Sequence, residues 1–279
     1  MPQAVSITTQ FTLGRRAWLL AAALLAAGCA QTPTSPVTDG GAAEAVRVMT
    51  SGGFAEAHQR LAPEFTQATG TRVETALGSS MGASPTSIPN RLEKGEVADV
   101  VILARPALDK LVEQTYVRPG SQVDLVRSAI GLSVKKGAPV PDISSEEKFR
   151  QVLLNAKSIA YSASASGTYY ESAMLRKLGI HDQVMPKSRK ILTERVGTIV
   201  ARGEAEIGLQ QVSELLPIEG TSFVGKIPES VQQYTIFSAG VATTSTNAKG
   251  LESLLRFYTS PAARKTIEAT GLEPIAAQR

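Results

Sequence analysis

Three short strings in this chain combine hydroxyl side chains with glycine. Thr50-Ser51-Gly52-Gly53 follows the apolar segment VRVM, and Gly78-Ser79-Ser80-Met81-Gly82 follows VETAL. Ser162-Ala163-Ser164-Ala165-Ser166-Gly167-Thr168 follows SIAY. Hydroxyls and free backbone N–H groups donate hydrogen bonds, glycine admits a ligand close to the main chain, and the first turn of a helix carries partial positive charge. Three such strings brought together would attract a small anion. Ser or Thr ahead of a helix is also an ordinary N-cap. Any one string has that reading, and their repetition points to a site.

Charged and amide groups extend the candidate set. Arg105 closes DVVILAR, and Arg195 lies in TERVGT at the start of a helical stretch. A guanidinium fork matches a carboxylate in two parallel hydrogen bonds. Gln210 and Gln211 end EIGLQQ, where an amide suits a polar ligand. The binding candidates are therefore Thr50, Ser51, Gly52, Ser79, Ser80, Met81, Arg105, Ser162, Ser164, Ser166, Gly167, Thr168, Arg195 and Gln210. Tyr161, Tyr169 and Tyr170 flank the longest string, and one of them is expected to wall the cleft. His58 and His181 are the only histidines and Cys29 the only cysteine. They offer no cysteine nucleophile in the mature body, no metal set and no triad. His58 falls one step from the apolar face formed by Ala57 and Leu61 and reads as a half-buried structural residue. No residue stands out as a general base; His58, a tyrosine phenol and a serine stay open.

The elements that must position these groups alternate along the chain. Strands are expected at AVRVMT, TRVETAL, ADVVILA, VDLVRSAIGLSVKKG, KSIAYS, EIGLQQ and QQYTIFSAGVAT. Phe54, Ala57, Leu61, Phe65 and Ala68 recur at helical spacing, with Pro63 expected to kink or divide that helix. Further helices are expected at IPNRLEKGE, PALDKLVEQ, SEEKFRQVLLNA, YYESAMLRKLGI and TERVGTIVARGEA, with a final pair in AKGLESLLRFYTSPAARKTIEATGL. The unbroken apolar run ADVVILA is the pattern of a strand covered on both faces. The alternation predicts an α/β fold with mostly parallel sheets, whose ligands bind beyond the carboxyl ends of the strands.

The chain has 279 residues, 43% of them hydrophobic, enough for one large domain or two lobes. It begins with a leader. Arg15 and Arg16 precede an apolar stretch from Ala17 to Ala27, too short to span a bilayer as a mature helix. LLAAGC within it has the form of a lipobox, which makes Cys29 a lipidation candidate and residues 1–29 a signal peptide; ordinary cleavage near Ala30 is the alternative. Residues 30–44 are rich in Pro, Thr and Gly and read as a tether. The formal charge of +4 falls by two once Arg15 and Arg16 are removed. No basic stripe with interleaved aromatics is present, so nucleic acid is not an expected partner.

SGGFAEAHQRLAPEFTQATG, ALGSSMG, KGEVADVVILARPALDKL, ARGEAEIGLQQVSEL and FYTSPAARKTIEATGLEP together resemble the molybdate-binding-like (type II) branch of periplasmic solute-binding proteins, the branch that includes aconitate isomerase. The resemblance runs from about Val46 to Pro274. It implies two α/β lobes with a cleft between them, joined by crossing strands at LVRSAIGLSV and QYTIFSAGVAT. Residues 45–126 and 237–279 would form lobe 1, and 127–236 lobe 2. It also implies a periplasmic monomer that closes on a small anion, a di- or tricarboxylate or an oxyanion, and passes it to an ABC transporter. The molybdate binders hold their oxyanion with neutral donors; Arg105 and Arg195 depart from that pattern and favour a carboxylate. Capture of a carboxylate is the reading adopted from the sequence. The alternative is an isomerase on the same scaffold that interconverts trans- and cis-aconitate. Neither reading calls for a cofactor or a metal.

Overall fold

Alternating burial in the central strands sets the architecture. In β3 (Val100–Ala104) every residue is buried, but the side chains divide between two faces. Val100, Ile102 and Ala104 join Val46 and Val48 of β1 (Val46–Ser51) in one core, and Val101 and Leu103 join Met49 in another. A period of two along a strand sends successive side chains to opposite faces. A strand apolar on both must therefore be covered on both. Helix α1 (Gly52–Thr69) covers one face with Phe54, Leu61 and Phe65, beside the helices Ala248–Tyr258 and Pro261–Glu268. Helices α2 (Ile88–Glu93) and α3 (Arg105–Glu113) cover the other through Ile88, Leu92, Leu108 and Leu111.

The computed structural model describes residues 45–275. The leader, Cys29 and the tether lie outside the described residues. The remaining strands are β2 (Val73–Gly78), β4 (Val123–Ser128), β5 (Ile130–Lys135), β6 (Ile159–Ser162), β7 (Ser188–Ile191), β8 (Ile207–Gln211), β9 (Thr221–Lys226), β10 (Thr235–Val241) and β11 (Glu273–Pro274). They form two sheets, ordered β11-β4-β10-β3-β1-β2 and β7-β6-β8-β5-β9. The second sheet is also covered twice. Helix α4 (Glu146–Asn155) and the helical stretch 165–177, which contains a π-helical turn at Tyr170–Met174, pack on one face. The helix Val196–Ala201 packs on the other.

β1 pairs in parallel with β2 and β3, and β6 with β7 and β8. The other ladders are antiparallel, so each sheet is mixed: a parallel core comes from the βα alternation, and the antiparallel flanks come from β4, β5, β9, β10 and β11. Four of them, β4 and β5 and then β9 and β10, flank the points where the chain leaves one sheet and returns. VDLVRSAIGLSVK, expected as one long strand, breaks at Ala129 into β4 of the first sheet and β5 of the second. The return lies between β9 and β10. Pro63 does not divide α1, which runs unbroken for 18 residues. The ring lies on the exposed side, where the carbonyl that loses its helical partner can bond water instead.

Candidate functional site

The carboxyl ends of five strands, two from the first sheet and three from the second, meet around one cavity of about 240 Å³. β1 supplies Gly52 and Ala55 on the first turns of α1, and β2 supplies Gly78 and Ser79. Opposite them, β6 gives Ser162, Ala163 and Ser164, β7 gives the loop from Ile191 to Arg195, and β8 gives Gln210. Glu214, on the short helix Val212–Leu215, closes the inner wall. The two halves touch at the rim, where Thr168 Oγ1 lies 3.7 Å from Met81 Sδ. On the inner side Ser213 Oγ donates to the Gly53 carbonyl at 2.7 Å.

Of the residues picked out from the sequence, Gly52, Ser79, Ser162, Ser164, Arg195 and Gln210 line this cavity. Ser164 is the N-cap of the helical stretch 165–177, and its hydroxyl caps nothing. The Ser79 hydroxyl donates to the Met81 carbonyl at 2.8 Å. Both ends of the Gln210 amide are engaged, the oxygen accepting from the Val196 N–H at 2.8 Å and the nitrogen donating to Glu214 Oε1 at 2.8 Å. Arg195 is half-buried and makes no ion pair or side-chain hydrogen bond within the described residues, so its guanidinium is available to a ligand.

The other candidates do not line the cavity. Thr50 is buried with its hydroxyl turned to the Ser51 carbonyl. Ser51, the N-cap of α1, keeps a buried hydroxyl with no partner. Ser80 is a brace: its hydroxyl accepts from the Ala104 N–H at 2.9 Å. Ser166 is buried against Ser162, with hydroxyl oxygens 3.1 Å apart. Gly167 serves packing, since a methyl group there would collide with the Ser162 carbonyl. Met81 and Thr168 belong to the rim contact.

Arg105, expected to face the cleft, does not. Its Nε donates to Asp109 at 2.8 Å and its Nη1 to Asp124 at 2.7 Å. The physical reason is local: an acid stands four residues on along α3 and another on β4, while the cavity lies over the β1 and β2 ends. The tyrosines are not cleft walls either. Tyr161 donates to Glu171 at 2.9 Å, Tyr169 to the Val231 carbonyl at 3.0 Å, and Tyr170 shares a 2.7 Å bond with Ser188. His58 is fully rather than half buried. Both ring nitrogens are bonded at 2.7 Å, to Thr75 Oγ1 and the Tyr258 hydroxyl, and burial pushes its pKa down to about 4. Gln211 bonds Thr235 at 2.9 Å, on the other face of β8 from Gln210.

Glu214 was not singled out from the sequence, and it is the most unusual group of the site. Burial pushes its carboxyl from 4.5 up to about 7, although Arg195 and the Gln210 amide pull it back. Oε1 is fixed by Gln210, while Oε2 has no partner among the described residues. The carboxyl rests against the first turn of α1, and a side chain at position 52 would strike it. Glycine at 52 is what permits that approach. A detectable signal did exist: VSELL places one acid among apolar residues. The helix is too short, however, for periodicity to show which side the acid takes. Among the described residues no group of three or more His, Cys, Asp or Glu could hold a metal ion.

Comparison with known proteins agrees with this arrangement of sheets. A family profile described as bacterial extracellular solute-binding protein matches residues 46–273. An aconitate isomerase from Pseudomonas sp. is 41% identical over 256 residues, 92% of this chain and 95% of that protein. Among solved structures, the periplasmic molybdate-binding protein of Azotobacter vinelandii superposes with a TM-score of 0.66 at 21% identity, over 84% of this chain and 100% of that one. The sulfate-binding protein SubI of Mycobacterium tuberculosis gives 0.64 at 15% identity, over 83% and 87%. The chain belongs to the bacterial extracellular solute-binding proteins, in the molybdate-binding-like group that includes aconitate isomerase.

Proposed function

We propose that this protein binds aconitate in the cavity between its sheets and interconverts the trans and cis forms. The observation that carries the reading is the convergence of an unpaired guanidinium and a buried carboxyl on one small cavity. A receptor for a fully ionised oxyanion gains nothing from Glu214 in its ionised form, because like charges repel. An isomerase needs both signs. The cation holds the substrate carboxylates and the charge that develops on them. The second group exchanges a proton with carbon. The Pseudomonas relative, 41% identical along nearly its full length, supports the same reaction.

The remaining donors fit a polyanion. Arg195 faces one carboxylate in a bidentate manner. The N–H groups of Gly52 and Gly53 open the 18-residue α1 and favour negative charge. The Ser164 hydroxyl stands across the cavity from them. The leader and Cys29 would export the chain to the periplasm and anchor it there by lipid. Capture alone, with delivery to an ABC transporter, is the second reading. The fold it shares with molybdate and sulfate binders favours it. Incubation of the purified protein with trans-aconitate in D₂O, followed by proton NMR, separates the two. Appearance of the cis isomer, or of deuterium at the methylene carbon, supports the isomerase. A tight complex with neither change refutes it in favour of capture.

A further inference from the structure

We propose that Glu214 is the catalytic residue that takes the proton from one allylic carbon of the substrate and returns it to the other; this rests on the isomerase reading. Four features of the site converge on it. Glu214 lines the cavity yet is only 7% exposed, so that exposure is to the cavity. Its Oε1 is held at 2.8 Å by Gln210, which is itself anchored to the Val196 N–H at the head of another helix. Oε2 is left without a protein partner. Arg195 shares the cavity, is the one Lys or Arg in its wall among the described residues, and acts electrostatically on Glu214.

The chemistry balances within one carboxyl group. Oε2 accepts a proton as the C–H bond at the methylene carbon breaks. The electron pair passes into the allylic system and onto the neighbouring substrate carboxylate, where Arg195 and the first turn of α1 stabilise it. The proton then forms a new C–H bond at the far allylic carbon, and the double bond moves by one position. The carbon skeleton of aconitate is unchanged by that shift. The geometry of the product is set by the rotamer the cavity holds when the proton returns. No other side chain facing the cavity suits the task. The hydroxyls of Ser79, Thr86, Ser162, Ser164 and Thr193 and the Gln210 amide do not titrate near neutral pH, and Glu194, the other acid in the wall, is paired with Arg202 at 2.8 Å. A carboxyl pushed up to about 7 by burial can be both acceptor and donor near neutral pH.

The test compares the wild type with Glu214→Gln, which keeps the size of the side chain and an oxygen for the Gln210 amide. Binding of trans-aconitate is measured by calorimetry and turnover by NMR in D₂O. The proposal expects a Kd within about threefold of wild type and turnover and exchange slowed at least 100-fold, the range of general acid–base contributions. A Gln variant that keeps more than a tenth of the wild-type rate overturns the Glu214 assignment and leaves the isomerase reading standing. A wild-type protein that binds trans-aconitate and never converts it to the cis form overturns the isomerase reading, and the assignment with it. Should the Gln variant not fold, the wild-type kcat profile decides. A fall of at least tenfold from pH 8 to pH 5.5 supports Glu214, and a flat profile overturns it.

Discussion

Replacing Glu214 by Gln should stabilise the protein at alkaline pH. The folded-state pKa of Glu214 is raised from 4.5 to about 7 by burial. The folded protein therefore binds more protons than the unfolded chain between those values, and stability falls as pH rises through that window. The contribution is fully present below about 4.5 and has been lost once the pH exceeds about 7. At about 1.4 kcal/mol per pKa unit, the whole shift corresponds to about 3 kcal/mol. Most of it, about 2 to 3 kcal/mol, is lost between pH 5 and pH 8. The assay is urea unfolding of wild type and Glu214→Gln at several pH values, with stability taken by linear extrapolation. The difference between the two proteins cancels the titration of every other carboxylate. It should grow in favour of the variant by about 2 kcal/mol or more from pH 5 to pH 8. A difference that stays flat, or a variant less stable than wild type at pH 8, would show that Glu214 is neither desolvated nor held against α1 as described. A protein that tolerates such a group is trading stability for function.

Three other substitutions bear on the account. Arg195→Ala should weaken aconitate binding by roughly 10- to 100-fold, since hydrogen bonds to charged groups contribute about 1.5–3 kcal/mol; calorimetry checks this. Arg105→Ala should leave affinity within about threefold and cost no more than about 1 kcal/mol of stability, because its partly exposed ion pairs with Asp109 and Asp124 are structural. Gly167→Ala should lower the melting temperature and the yield of folded protein, because the new methyl group meets the Ser162 main chain rather than a movable side chain.

The strands and helices that rest on strong periodicity could be read from the sequence: β3 from its unbroken apolar run, α1 from its 3.6-residue spacing. The crossing at LVRSAIGLSV was expected only from the family resemblance; the residues themselves read as one strand, because nothing in composition marks Ala129 as the place where an extended chain changes sheets. β7 (SRKI) and β9 (TSFVGK) escaped because they hold too few apolar residues to show a period, Ile191 alone in the first and Phe223 with Val224 in the second. The site was half legible. Strand-end hydroxyls and Arg195 follow from position along the chain. Whether a side chain faces the cavity or a neighbour depends on contacts distant in sequence, such as Asp124 with Arg105 or Ala104 with Ser80. Glu214 was hidden for the same reason: its importance comes from burial against α1, about 160 residues away.

Backbone amide chemical shifts, recorded while trans-aconitate is added to the labelled protein, test the central claim most directly. The account predicts the largest changes at Gly52, Gly53, Ser79, Ser164 and Arg195, with those around Arg105 and Asp124 nearly still. Changes centred on Arg105, or scattered over the surface without the α1 amides, would contradict it.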